Sequence, residues 1–269
     1  MRFSGRRILV VGASGGLGLA LAAALDRRGS RLILFSRHLD RIKTGEERGL
    51  AERHQLVAGD LRQPADLEKL DAAIVDHGGE LDGIIFAAGV SRPDLIESLD
   101  LERALDTLQV NLEAPFRVFY RYLPRLLHRP GSFLAGITSM AGDRGMPRGH
   151  AYSASKAGFD RLLESLRIDL LDRDLRVFTI VPGYVETLMS SQNRFPMLGM
   201  WPAQKAADHI LHAMEKNRLV IRFPWYHSLG MRLLCLLPDR LYWWLMNRQR
   251  SQVKIMPHPD EHFTWDHKS

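Results

Sequence analysis

"RILVVGASGGLGLA", residues 7–20, is the stretch whose reading decides the fold. "ILVV" is apolar on both alternating faces, the pattern of a strand buried on two sides. Gly12, Gly16 and Gly18 follow it in a G-x-x-x-G-x-G spacing, and "LGLALAAALDRRG" (17–29) then continues with helical periodicity. Strand, glycine turn and helix in that order bring a helix N-terminus, with its free N–H groups and partial positive charge, against a pyrophosphate. The glycines are needed because the backbone must turn tightly and come close to the ligand.

Outward from this turn the same alternation repeats. Apolar runs stand at "RLILFS" (31–36), "HQLVAGD" (54–60), "LDGIIFAAG" (81–89), "GSFLAGITS" (131–139) and "LRVFTIVPG" (175–183). Helical spacing fills the intervals, most clearly over 101–129 and 151–174. A βαβα succession predicts a doubly wound parallel sheet of the Rossmann type, a three-layer α/β/α sandwich. No internal repeat, low-complexity tract or Gly/Ser linker divides the chain, so residues 1–222 are read as one dinucleotide-binding catalytic domain. Residues 223–269 are read as a C-terminal helical extension, with two short helices broken at Pro238 and an extended or mobile tail from 251.

Composition limits the function classes. The 269 residues are 45% hydrophobic and 25% charged, as expected of a globular chain. The net charge of +6 suits an anionic partner such as a phosphate-bearing cofactor, and equally suits a merely soluble basic protein. No basic helix with base-reading residues accompanies it, so a nucleic-acid partner is not expected. Cys235 is the single cysteine, which excludes an internal disulfide and fits a reducing cytoplasm. The eleven histidines show no metal-ligand spacing, and no metal is expected. "ILVV" is too short for a signal segment, and no apolar run reaches the length of about 18 to 20 residues that a spanning helix needs.

The end of the second strand reads "LFSRHLDR" (34–41). The residue after that strand faces the adenosine ribose in such folds, where an acidic side chain would accept from a free 2′-hydroxyl. Ser36 and Arg37 stand there instead, with Arg41 a helical turn on, and arginine suits a 2′-phosphate. The expected cofactor is therefore NADP(H) in preference to NAD(H). Asp60, closing the third strand, is a candidate acceptor for the adenine amino group or an N-cap.

"AYSASKAG" (151–158) sets Tyr152 and Lys156 at i and i+4, on one helix face. A nearby ammonium favours the phenolate, so the pair is expected to lower the phenol's pKa from about 10 and let it exchange a proton with an alcohol or carbonyl oxygen. The order Gly12/Gly16/Gly18, Asn111, Ser139, Tyr152 and Lys156 resembles the short-chain dehydrogenase/reductases over residues 5 to 222. "VGASGGLG" is similar to that family's cofactor turn, "VNLEAPF" to its Asn-bearing helix, "GITSMAG" to its serine strand, "YSASK" to its active-site helix and "VPGYVET" to the stretch beside the nicotinamide.

The resemblance implies roles. Tyr152 would be the general acid in carbonyl reduction and the base in alcohol oxidation; Lys156 would bind the nicotinamide ribose and tune the phenol. Ser139 would hydrogen-bond the substrate oxygen, and Asn111 would hold a water linking Lys156 to solvent. Cofactor contacts would come from Gly12, Ser14, Gly16, Leu17, Gly18, Ser36, Arg37, Asp60, Leu61, Ala88, Gly89, Asn111, Tyr152, Lys156, Pro182, Gly183, Val185 and Thr187. The chain departs from the family at Val11, where a threonine is usual, and at Phe86 and Ala87 in "FAAG" (86–89), where it usually carries two asparagines. Both changes exchange polar contacts for apolar packing and bear on cofactor affinity.

The loop "YVETLMSSQNRFPMLGMW" (184–201) would close over the substrate. Met189, Phe195, Met197, Leu198, Met200 and Trp201 would form an adaptable apolar wall for a lipophilic ketone or aldehyde, long-chain, 3-oxoacyl or sterol-like; packing against the core or a partner subunit is the other reading. Arg144, Arg148 and His150 would be exposed loop charges or meet a polar head group. Tyr242, Trp243 and Trp244 lie between Arg232, Arg240, Arg248 and Arg250, which suits either an anionic membrane surface through 223–250 or a cover over the substrate pocket or an oligomer contact. The resemblance also implies a homodimer or homotetramer built on the Asn111 and Tyr152 helices. The expectation is a cytoplasmic NADPH-dependent reductase; the alternative is a cofactor-binding sensor or scaffold without turnover.

Overall fold

The computed structural model describes residues 1–44, 49–187, 190 and 199–252. In chain order the elements are β1 (Arg7–Val11), α1 (Gly16–Asp26), β2 (Arg31–Ser36), α2 (Asp40–Thr44), α3 (Gly49–Arg53), β3 (Gln55–Ala58), α4 (Pro64–Asp76), β4 (Gly83–Phe86), α5 (Leu101–Leu108), α6 (Ala114–Leu127), β5 (Ser132–Ile137), α7 (His150–Asp169), β6 (Leu175–Pro182), α8 (Ala203–Glu215), β7 (Val220–Phe223), α9 (Trp225–Leu236) and α10 (Asp239–Gln252).

The strands form one parallel sheet in the order β3-β2-β1-β4-β5-β6-β7. Its strands are apolar on both faces because both are covered, which is the physical reason the runs read as continuous rather than alternating. On one face β-strand residues such as Ile8, Val10 and Leu34 pack against α1 and α8; on the other Leu9, Ile84 and Leu134 pack against α4, α6 and α7. The doubly wound Rossmann-type architecture is the one expected. The order in which strands are added reverses between β1 and β4, and the crevice at their C-terminal ends is where such sheets take their ligands.

Several boundaries differ from the sequence reading. The run 101–129 is divided into α5 and α6 by a π-helical turn at Gln109–Glu113, and Pro124 sits within α6. The apolar runs 54–60 and 81–89 shorten to β3 and β4, because their glycine- and alanine-rich ends leave the ladder to form the crevice. β7, a seventh strand, pairs with β6 through Thr179↔Val220 to Pro182↔Phe223; with Arg222 inside so short a segment, its apolar signal is weak. It runs across the position where the extension was expected to begin. Pro238 does separate two helices, α9 and α10. The tail from 253 lies outside the described residues.

Candidate active site

β1 delivers the chain to a turn that only glycine can make at its key positions. Gly12 has φ +86°, and a Cβ there would lie 2.5 Å from the Ala88 nitrogen at the end of β4. Gly16 has φ +52°, and its Cβ position is 3.1 Å from Thr187. A Cβ on Gly18 would run into the Gly12 carbonyl, so the first turn of α1 sits hard against the turn it follows. The Gly12 and Ala13 N–H groups donate to the Phe35 carbonyl at 2.8 and 3.2 Å, tying the turn to β2. Across that junction the Ser14 and Ser36 hydroxyls are 2.5 Å apart. Buried Leu17 fixes the inner side of α1.

Arg37 is exposed beyond β2; the Asp60 carboxyl is held below its ordinary range chiefly by hydrogen bonds from Arg62, with the charge of Arg37 adding last. The guanidinium of Arg41 reaches the turn itself, 3.7 Å from the Cβ position of Gly15. Asp60 is not an open acceptor: Arg62 donates to it from its backbone N–H at 3.0 Å and from its guanidinium, and also bonds Asp106 on α5. Leu61 beside it is buried in the core.

Val11 and Phe86 are register partners and both fully buried. The Phe86 ring meets Phe119 and Phe159 edge-on at 6.1 and 5.6 Å. Apolar packing thus holds these two strand ends, each aromatic contact contributing on the order of 0.5–1.5 kcal/mol.

The chemical residues meet at the next strand end. Ser139 follows β5, and its hydroxyl accepts from the Ala141 N–H at 3.1 Å. Tyr152 and Lys156 both rise from α7, with the ammonium 5.8 Å from the phenol ring centroid. Lys156 is buried and donates to the Ile137 carbonyl at 3.0 Å. Gly89 lies between Lys156 and Asn111: its Cβ position is 3.4 Å from the Lys156 Nζ and 3.3 Å from the Asn111 Oδ1. Asn111, fully buried in the π-helical turn, clamps Val90 by accepting from its N–H and donating to its carbonyl, both at 2.8 Å, and donates to Ser155 Oγ at 3.1 Å. Single π turns of this kind cluster at functional sites.

The electrostatics depart from the sequence expectation in one respect. Tyr152 is not lowered below its ordinary pKa: burial pushes the phenol up, and the hydrogen bond with Ser139 pulls it down by less. Lys156 has itself been brought down to about 8 by burial, because desolvation penalises the ammonium. Burial therefore decides the direction, and the phenol keeps its proton at neutral pH.

Pro182 closes β6, and the Gly183 N–H donates to the Phe223 carbonyl at 2.7 Å. A Cβ on Gly183 would collide with the His227 imidazole of α9, a neighbour that no motif announced. Val185 bridges to Trp201, and Trp201 N–H donates to the Tyr184 carbonyl at 3.0 Å, so the loop's two ends are pinned together. Thr187 accepts from the Ser190 N–H at 3.1 Å. Trp201 is partly buried and packs on the core, its ring 5.4 Å from both His209 and Phe223. Met189, Phe195, Met197 and Leu198 lie outside the described residues; Met200 is half-buried.

Arg144 is not an exposed loop charge. It donates to the Leu234 and Leu237 carbonyls at 2.9 and 3.0 Å, pairs with Asp239 at 2.5 Å and lies 3.8 Å over the Tyr242 ring. The Arg148 carbonyl accepts from the Asp94 N–H at 2.8 Å, and the Asp94 carboxylate caps α7 by accepting from the Ala151 N–H at 3.0 Å, with exposed His150 at its edge. Neither partner is near in sequence, so neither contact was legible beforehand. No group of residues suited to a metal ion occurs among the described residues.

A glycine-lined crevice at the reversal of a doubly wound sheet, with serine, tyrosine and lysine at the adjoining strand end, defines an oxidoreductase of the dinucleotide-binding kind. The short chain dehydrogenase family model matches residues 6–196, so the chain belongs to that family and is an NAD(P)-dependent oxidoreductase. Among its relatives, an uncharacterised oxidoreductase of Myxococcus xanthus is 32% identical over 240 residues, covering 88% of this chain and 94% of the relative. Another, of Mycobacterium tuberculosis, is 30% identical over 243 residues, covering 88% and 95%. A short-chain dehydrogenase from Burkholderia cenocepacia solved in complex with NADP superposes with a TM-score of 0.76 at 24% identity, over 92% of this chain and 98% of that one. Actinorhodin polyketide ketoreductase solved with NADPH gives 0.72 at 24% identity, over 82% and 97%.

Proposed function

We propose that the chain is an NADPH-dependent reductase that converts a lipophilic ketone or aldehyde to its alcohol. The observation that carries this reading is the gathering of Ser139, Tyr152, Lys156, Gly89 and Asn111 in one place next to the glycine turn. The turn fits a dinucleotide because it leads from the end of β1 straight into the N-terminus of α1, and Cβ atoms at Gly12 and Gly18 would clash with Ala88 and with the Gly12 carbonyl and prevent so tight a turn. Gly12, Ser14, Gly16 and Leu17 would hold the phosphates; Ser36, Arg37 and Arg41 would take the 2′-phosphate; Ala88, Gly89, Lys156, Pro182, Gly183, Val185 and Thr187 would flank the nicotinamide half. Bound there, the cofactor supplies the hydride.

Ser139 orients the substrate carbonyl oxygen and stabilises the negative charge that grows on it. Tyr152, neutral at pH 7 because burial holds its proton, gives that proton to the same oxygen. Lys156 would hold the nicotinamide ribose, and Asn111 holds the Val90 backbone beside Gly89, which neighbours Lys156. Support for NADPH in preference to NADH is the absence of an acidic residue after β2, together with Arg37 and Arg41. The apolar character of the substrate rests on the composition of the 184–201 loop, and the two solved neighbours that carry NADP or NADPH agree with the cofactor choice.

The test is NADPH consumption with carbonyls of graded chain length, NADH in parallel. Turnover rising with apolar length is expected, and Tyr152→Phe should lower kcat by about 10²–10⁴-fold while NADPH still binds. Tight NADPH binding with no turnover across the series would instead support a sensor.

A further inference from the structure

The α9–α10 pair buries one stripe of each helix on the domain and leaves the opposite stripes open. On α9, Ser228 and Met231 face inward, while Trp225, Leu229, Leu233 and Leu236 are 73%, 50%, 57% and 80% exposed. These last four recur at helical spacing along a single stripe. On α10, Tyr242 and Met246 are buried and hold the helix down, whereas Leu241 and Trp244 are 46% and 58% exposed. So much exposed aromatic and leucine surface on two adjoining helices marks a contact surface rather than scattered exposure.

Charge identifies what meets it. Arg232, Arg240 and Arg248 lie exposed among these residues, and Arg248 approaches the Trp244 ring at 5.8 Å. Between 223 and 252 the sequence holds one carboxylate, Asp239, and Arg144 already pairs with it. A second copy docked face to face would set arginines against arginines with no acid to answer them. A surface that is both anionic and apolar satisfies both requirements.

An open groove of about 350 Å³ between β7 and α9 adds a second feature of the same chemistry. It is lined by Val220, Arg222, Trp225, Ser228, Leu229 and Arg232. Asp143 holds Arg222, and no ion pair engages Arg232 among the described residues, so a cationic group stands beside an indole and two aliphatic side chains. A phosphate with hydrocarbon attached matches that lining.

We propose that the α9–α10 pair is a docking surface for an anionic phospholipid bilayer, on which the protein lies peripherally. No described helix is long and apolar enough to cross a membrane, and two short helices with aromatic and leucine side chains between arginines are suited to the headgroup boundary. The inference is independent of the reductase reading, because the measurement below needs no turnover.

The test is co-sedimentation of the full chain with vesicles of phosphatidylcholine alone and of phosphatidylcholine with phosphatidylglycerol. Binding to the mixed vesicles only, weakened by salt, is expected. Arg232→Ser with Arg240→Ser should weaken it about thirtyfold, at about 1 kcal/mol per arginine near an anionic surface. Leu233→Ser with Trp244→Ser should also reduce it at least tenfold, with thermal stability of both variants kept because these side chains are exposed. No sedimentation with mixed vesicles, or sedimentation that survives both double variants, would overturn the proposal. So would a change in oligomeric mass as the sole effect of the substitutions, since the face would then be an interface between copies.

Discussion

At the scale of single residues, Tyr152 and Lys156 show how burial and proximity compete. Spacing in the sequence put a phenol and an ammonium on one face, and that much was legible. The sign of the phenol's shift was not, because desolvation depends on Ile137, Asn111 and Gly89, which reach the pair from elsewhere in the chain. A raised phenol stays protonated at neutral pH, which is the form the proposed carbonyl reduction needs. Lys156 sets the upper limit: with its folded value near 8 against 10.5, it binds fewer protons folded than unfolded between those values. Two consequences follow with opposite signs. Stability gains as pH rises through that window, because a costly buried ammonium is relieved. NADPH affinity should fall as pH passes about 8, where the folded protein loses that cation, and a pH series of KM for NADPH against thermal melting would separate the two effects. At the other end of the cofactor site, Arg37→Asp should shift the NADPH to NADH preference in kcat/KM by about 10–100-fold, the value of one or two charge-assisted contacts at about 1.5–3 kcal/mol.

At the scale of elements, the parts the sequence made plain are those dictated by local pattern. The glycine turn, the continuous apolar strands and the helix break at Pro238 each follow from short-range chemistry. The π-helical turn at Asn111 did not, because a one-residue insertion leaves the helical period of 101–129 almost unchanged. Nor did the clamp made by Arg144, whose partners lie about 90 residues on. That clamp connects the loop after Ser139 to α9 and α10, while Gly142 in the same loop packs within 2.9 Å, by its Cβ position, of the Lys156–Ala157 backbone. Arg144→Ala removes two hydrogen bonds to carbonyls and the contact over Tyr242. The Asp239 pair adds little, since that carboxylate is 71% exposed. A loss of about 1–3 kcal/mol is expected. It should be seen as a Tm several degrees lower and as faster proteolysis within 225–248.

At the scale of the whole molecule, the surface left over by the fold argues for a second interface separate from α9 and α10. Phe116 and Tyr120 stack at 5.7 Å on the outer side of α6, and Leu127 continues the same stripe at 46% exposure. On α7 the outer stripe ends in Ile168, 63% exposed, with Leu171 just beyond it. Unlike the α9–α10 surface, this one carries both signs of charge: Arg117 of α6 with Glu113 at the end of the π-helical turn, and Arg161 with Glu164 on α7. A face with apolar residues and paired charges can meet its own copy about a two-fold axis, each acid finding a base across the interface. The π-helical turn leading into α6 carries Asn111 and α7 carries Tyr152, so association would stiffen the elements that present the site without supplying residues to it. Where the chain self-associates through this face, Phe116→Asp with Tyr120→Ser should lower the mass seen in light scattering and lower the Tm. Because the altered side chains point away from Ser139, the monomer should retain measurable NADPH turnover; full retention of the oligomer would show that the α6 stripe is not the contact.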